Sequence, residues 1–178
     1  MFPVHALDKI PPFDENGVLR MIVESPKGAT VKLKYEPRLC IFRIKRSLPL
    51  GLAYPFDWGF VPGTRGADGD PIDALSIHGT GTFPGVLTSC RALGMVQMEQ
   101  KGPMGRISNP RVIVTPTWLS RPEEMSQGLS QQYRAEIEQF FATAGFFAAA
   151  EPKILGWSSA EEAEVHIREN SIELASQD

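Results

Sequence analysis

Short apolar or alternating stretches recur along residues 18–24, 31–36, 40–45, 74–78, 86–97 and 111–115, each bounded by turn residues. Pro26-Lys-Gly28, Gly79-Thr-Gly81 and Lys101-Gly-Pro103 are such breaks. This pattern predicts strands, and several short strands in succession predict a closed or nearly closed β-barrel. The period then changes. After Ser130, which can cap a helix, Tyr133, Ile137, Phe140 and Phe141 fall on one helical face, and Gly145 is placed to end it. Ser158 with Glu161 has capping-box spacing for a second helix that continues through Ala163, Ile167 and Leu174. The aromatic face of the first helix reads as core packing. Residues 1–17, with Pro3, Pro11, Pro12 and Gly17, read as an irregular arm, and residues 18–178 as a single barrel domain. Ala148 to Ala150, before Pro152, read as a short connector, and residues 98–109 as a mobile hairpin loop. The expected fold is α+β, mainly β: a closed barrel flanked by two C-terminal helices.

Composition narrows the class. A chain of 178 residues fits one domain with a sizeable core, and no apolar run approaches the ~20 residues of a membrane helix. Residues 1–10 contain no basic segment leading into an apolar stretch, which argues against a secretory signal. Cys40 and Cys90 have neither disulfide-framework nor zinc spacing, and both read as small buried apolar residues. A cytoplasmic protein is expected. The net charge of −3 argues against a nucleic-acid groove. Yet Lys32, Lys34, Arg38, Arg43, Lys45 and Arg46 crowd one stretch, relieved only by Glu36. If those side chains share a face, they can hold a small polyanion.

Asp68-Gly-Asp-Pro-Ile-Asp73 sets three carboxylates within six residues. Gly69 permits a backbone conformation most residues resist, and Pro71 pushes Asp70 toward an extended one. Carboxylates are hard oxygen ligands, suited to Mg²⁺ or Mn²⁺ rather than a soft metal. Without a cation, like charges this close raise one another's pKa. The same residues also suit an acidic surface turn.

Upstream stand Val23-Glu-Ser-Pro26, Lys34-Tyr-Glu36, Arg46 and Tyr54-Pro-Phe-Asp-Trp-Gly59, with Arg46 eight residues before Tyr54. The series resembles the soluble family I inorganic pyrophosphatases. There Ile-Glu-Ile-Pro, Lys-Tyr-Glu, an Arg eight residues before Tyr-Pro-x-Asn-Tyr-Gly, and Asp-Gly-Asp-Pro-x-Asp follow one another. The resemblance implies a five-stranded, OB-like barrel, a homo-oligomer (commonly a hexamer in bacterial members), and Mg²⁺-dependent hydrolysis of pyrophosphate to two phosphates. It implies that Asp68 and Asp73, with Asp70, hold metal, and that Asp70 helps deprotonate the attacking water. Lys34 and Arg46 would grip phosphate oxygens. Glu24 and Glu36 would orient waters or the basic side chains, and Tyr54 would donate from its hydroxyl. Trp58 and Arg111 stand at substrate-binding positions.

Several residues depart from the family. Trp58 replaces a Tyr, keeping bulk and one donor but losing the phenolic oxygen. Gln100-Lys101 stands where the family has Asp-Glu or Asp-Asp, Asn109 where it has an Asp two residues before a Lys, and Ala144-Gly145 where it has Tyr-Lys. Neutral amides do not supply the charge that gathers several divalent ions. Lys101, Arg106 or Arg111 could replace a metal's charge with a fixed one, whereas Glu99 faces the opposite side of its strand from Gln100. The expected function is pyrophosphate hydrolysis, weakened or altered in substrate range. The alternative is a catalytically degraded homologue that binds a phosphorylated metabolite or serves a structural role. A third class, an oligonucleotide-binding barrel, needs exposed stacking aromatics, and the alternation places Phe56, Trp58 and Phe60 in the core instead.

Overall fold

One 16-residue strand, Leu87–Gly102, organises the molecule, because four of the other six strands of the main sheet pair with it. The computed structural model describes residues 6–119, 129–146 and 151–172. A 3₁₀ turn at Leu7–Lys9 precedes β1 (Leu19–Ser25), β2 (Val31–Glu36), β3 (Ile41–Ser47), β4 (Asp57–Phe60), β5 (Asp73–Ser76), β6 (Leu87–Gly102), β7 (Gly105–Ser108) and β8 (Arg111–Pro116). Helix α1 (Gln131–Phe146), strand β9 (Lys153–Ser158) and helix α2 (Ala160–Glu169) follow. β1 pairs with β4, β4 with β5, β5 with β8 in parallel, β8 with β6, and β6 returns to β1. These five strands form a closed ring, the expected barrel. Closure removes the free edges that an open sheet would expose.

The far half of β6 carries β7 and β9 outside the ring. β2 and β3 form a separate hairpin tied to β1 by side chains: Leu33 N donates to Ser25 Oγ at 2.9 Å and Tyr35 N to Glu24 Oε1 at 2.7 Å. β1 reaches Glu24 through a bulge, since Val23 faces Gly59 and Ser25 faces Trp58, leaving Glu24 unmatched. Bulges re-aim side chains in this way. β1 and β4 also lie unusually close: a Cβ on Gly59 would sit 1.8 Å from the Ile22 carbonyl oxygen.

The apolar residues divide between the two helices. Ile137, Phe140, Phe141 and Ala144 of α1 pack with Tyr54, Phe56, Trp58, Leu75 and Ile113. Ala163 and Ile167 of α2 pack with Met21, Val61, Val112 and Val114. Each large aliphatic side chain buried this fully contributes about 1.5–3 kcal/mol before entropy is counted. Phe56, Trp58 and Phe60 are all buried, as the alternation predicts.

Several expectations need correction. The second helix starts one residue later: Ser159 Oγ accepts from Glu162 N and Glu162 closes the box, while Ser158 ends β9 and accepts from Gln97. α1 continues through Gly145 to Phe146. Residues 98–109 are not a loose loop but the β6–β7 hairpin, closed by Arg106 Nε to Glu99 Oε1 at 2.5 Å. Cys40 is exposed at the β2–β3 turn with φ 52, whereas Cys90 is buried. Strand β9 was not expected. Leu174 and the Ala148 to Ala150 connector lie outside the described residues. Among the described residues, no helix is long and apolar enough to cross a membrane.

Candidate active site

Alternation along β2 sends Lys32, Lys34 and Glu36 to one face and Leu33 and Tyr35 to the other. Tyr35 is buried against Phe42 and Phe60, which fixes the orientation of the strand. On β3, Arg43 is the register partner of Lys34, and Arg46 is that of Lys32. A bulge at Lys45 brings Arg46 rather than Lys45 opposite Lys32. Of the six basic residues, Lys32, Lys34, Arg43 and Arg46 therefore share a face, while Lys45 sits in the bulge and Arg38 in the β2–β3 turn. Like charges directly opposite each other are destabilising, so this hairpin carries an electrostatic cost that a bound anion would relieve. Glu36 offsets part of it from 3.7 Å, beside Arg43.

The acidic turn faces this hairpin. Gly69 takes φ 85, Gly66 N bonds to Asp70 O, and Asp70 N donates to Asp68 Oδ1 at 3.2 Å. β5 then begins at Asp73. Each carboxylate has a nitrogen partner. Lys34 forms an ion pair with Asp70. Arg111 Nη2 lies 3.0 Å from Asp73 Oδ2. Asp68 Oδ2 accepts from Asn109 Nδ2 at 2.8 Å and from Gln100 Nε2 at 3.4 Å.

Burial, then the nearby Asp73 and Asp70 charges, push the Asp68 carboxyl up. Burial dominates at Glu24 too, raising it to about 7, with Asp73 adding repulsion. Burial works against the Lys34 ammonium, but the Asp70 pair outweighs it and holds the pKa above the ordinary value. Hard oxygen donors that repel one another suit a hard divalent cation in chemistry and charge. The nitrogen partners would have to yield to it, and among the described residues no three acidic, His or Cys side chains converge on a common point.

The Trp58 ring lies beside a cation from the hairpin and beside the arginine that pairs with the acidic turn. The Lys32 ammonium lies 5.8 Å and the Arg111 guanidinium 5.5 Å from its ring centre. Tyr54 is buried against Trp58 and Phe140, and that burial raises its hydroxyl to about 12. It therefore keeps its proton at neutral pH. Arg46 is half-buried and donates to Ser47 O at 3.4 Å. Lys101 pairs with Glu151 at 3.4 Å and Arg106 with Glu99, so of the three candidate substitutes for metal charge only Arg111 meets the acidic turn. Sequence reasoning places Lys32 in the basic stretch but gives it no role of its own; its two-residue spacing from Lys34 on a strand is the signal that singles it out.

A family model described as inorganic pyrophosphatase matches residues 21–174. The chain is 30% identical over 167 residues to an inorganic pyrophosphatase of Aeropyrum pernix, covering 90% of this chain and 92% of that one. It is 32% identical to that of Sulfolobus acidocaldarius, with 85% and 88% covered. The crystal structure of inorganic pyrophosphatase from Thermus thermophilus superposes with a TM-score of 0.82 at 29% identity, covering 92% of this chain and 95% of that one.

Proposed function

The chain belongs to the inorganic pyrophosphatase family, and from that premise we propose that it hydrolyses pyrophosphate to two phosphates in a Mg²⁺-dependent reaction, with Mn²⁺ as a substitute. The observation that carries the reading is the Lys34–Asp70 ion pair, which joins the cationic face of the hairpin to the acidic turn. One side binds phosphate; the other receives cation and proton.

In this reading Asp68 and Asp73, with Asp70, would hold the cation. That ion would supply Lewis-acid charge to the phosphoryl oxygens and acidify the attacking water. Arg46 and Lys34 bind substrate oxygens, Arg46 through its planar fork and Lys34 as a point charge. Once substrate draws Lys34 away, Asp70 is released to accept the proton of the attacking water. Tyr54, protonated, acts as a donor. Glu24, buried, re-aimed by its bulge and anchored by the Tyr35 amide, orients waters or the basic side chains, and Glu36 steadies Arg43. Arg111 holds Asp73 in place, and the Trp58 ring face supports Arg111 and Lys32. Asn109 and Gln100 are uncharged, so the site gathers fewer divalent ions than a fully carboxylate one. A cytoplasmic homo-oligomer completes the reading.

The test is phosphate release from pyrophosphate, tripolyphosphate and nucleoside triphosphates with and without Mg²⁺ or Mn²⁺. Release from pyrophosphate that needs the metal and is abolished by Asp70→Asn supports the proposal. Folded protein that releases no phosphate under any metal condition overturns it. The Asn109–Asp68 hydrogen bond favours one rival, a homologue that binds phosphorylated ligands without turnover. Calorimetric binding with no product would establish that rival.

A further inference from the structure

Lys32 matches none of the motif positions, yet it stands at the centre of the cationic face. It is two residues before Lys34 on the same side of β2 and directly opposite Arg46. It shares the Trp58 ring with Arg111, one cation 5.8 Å and the other 5.5 Å from the ring centre. Arg111 is anchored by Asp73 at 3.0 Å and by the Asn109 carbonyl at 2.7 Å. Lys32 is different: among the described residues no carboxylate lies within ion-pair distance of it.

Two more donors in this cluster lack partners. Trp58 Nε1 and Arg111 Nε are buried without an acceptor. Buried N–H groups are almost always bonded, and one left alone is destabilising. An unpaired ammonium and two unused N–H donors around one indole need negative charge with several acceptor oxygens. A phosphoryl group has both.

We infer that Lys32, the Trp58 indole N–H and the Arg111 Nε–H form a subsite that takes one phosphoryl group of the substrate on fixed positive charge, so that pyrophosphate binds this chain without a divalent cation. This rests on pyrophosphate being the ligand, as proposed above, and adds to it. Where Gln100 and Asn109 have removed carboxylates that would gather metal, side-chain nitrogen supplies the missing charge. Trp58 fits the same change: an indole keeps a donor and offers its face to two cations.

The experiment is isothermal titration of the full chain with pyrophosphate in excess EDTA, run beside the Mg²⁺-dependent phosphate-release assay. Wild type should bind in chelator, and Lys32→Met should weaken that binding by roughly tenfold or more. Lys32→Arg should stay within about threefold of wild type because the charge is kept. Trp58→Phe, which removes only the donor and some bulk, should also weaken binding, and it carries the test if Lys32→Met does not fold. Wild type that hydrolyses pyrophosphate with Mg²⁺ but does not bind it in EDTA overturns the subsite and leaves the enzyme reading intact. Binding in EDTA with no hydrolysis under any metal does the reverse. Folded Lys32→Met or Trp58→Phe with wild-type affinity in EDTA also overturns it.

Discussion

Asn109 donates its side-chain amide to Asp68 Oδ2 at 2.8 Å, so a neutral residue clamps one of the three aspartates of the acidic turn. Burial and two neighbouring carboxylates already raise the Asp68 pKa. A negative charge at position 109 would replace that hydrogen bond with repulsion from Asp68, offset only in part by Arg111, which already donates to Asn109 Oδ1. Asn109→Asp should therefore lose about 1–3 kcal/mol in EDTA at neutral pH and show a larger rise in melting temperature with Mg²⁺ than wild type. Urea unfolding with and without the metal checks both. A variant as stable as wild type in EDTA would remove the clamp from the account.

Arg111 joins the acidic turn to β8. It is buried, pairs with Asp73 and donates to the Asn109 and Pro110 carbonyls. Breaking a fully buried ion pair costs about 3–5 kcal/mol. Asp73 keeps some solvent access, so we expect about 2–3 kcal/mol for Arg111→Leu. Adding Asp73→Asn should recover part of that loss, because the stranded charge is gone. If the double variant is no better than the single one, Arg111 acts by packing alone.

Asp57 is buried beside His78, with Nε2 to Oδ2 at 3.0 Å, and also accepts from Thr82 Oγ1 at 2.5 Å and Lys27 N at 2.7 Å. Burial pushes its carboxyl up, but the hydrogen bonds from His78, Thr82 and Lys27 more than offset this and hold it below the ordinary 3.8. The unfolded chain thus takes up the proton first as pH falls. The stabilisation is complete at neutral pH and drains away below about 4. Asp57→Asn should cost about 1–3 kcal/mol at pH 7 and lessen the acid-side loss. Melting temperatures from pH 3 to 7 give the comparison; parallel curves would refute the assignment.

Two glycines should separate sharply. Gly59→Ala sets a methyl 1.8 Å from the Ile22 carbonyl, where only backbone could give way. It should cost more than about 4 kcal/mol or prevent folding. Gly69→Ala meets open space but keeps φ 85, so about 1–2 kcal/mol is expected. Soluble yield and circular-dichroism melts distinguish the two, and a well-folded Gly59→Ala would mean that β1 and β4 can part.

What the sequence reveals of this fold follows where the forces are local. β2 coincides with its predicted span, and β1 and β8 differ by a residue, because alternation and flanking turns define them. Ser130 does cap α1, donated to by Tyr133 N at 3.3 Å. The capping box slipped because Ser158-Ser159 and Glu161-Glu162 are doublets; only the pairing of β9 decides which serine remains in the strand. β9 itself, Lys-Ile-Leu-Gly-Trp-Ser, has a glycine, two exposed residues and none fully buried, so its strand character comes from β6 rather than from its own pattern. The hairpin at residues 98–109 is legible, but its order is not, for a similar reason: Gly102, Pro103 and Gly105 read as loop, while cross-strand pairing holds it.

At the candidate site, the acidic turn and the lysine–arginine strand pair stand out in the sequence because fixed spacings mark them. The Asn109–Asp68 bond and the Lys32–Trp58–Arg111 cluster do not, since they depend on where distant side chains meet across the barrel.

The extra residue at Lys45 sets which head group looks across the hairpin. Were β3 straightened with its sequence intact, an ammonium would occupy that place and the guanidinium of Arg46 would rotate out to solvent. Deleting Lys45, by contrast, would iron out the strand and leave Arg46 where it is. Chain length at this point, more than residue identity, governs whether the pocket keeps its two-pronged hold.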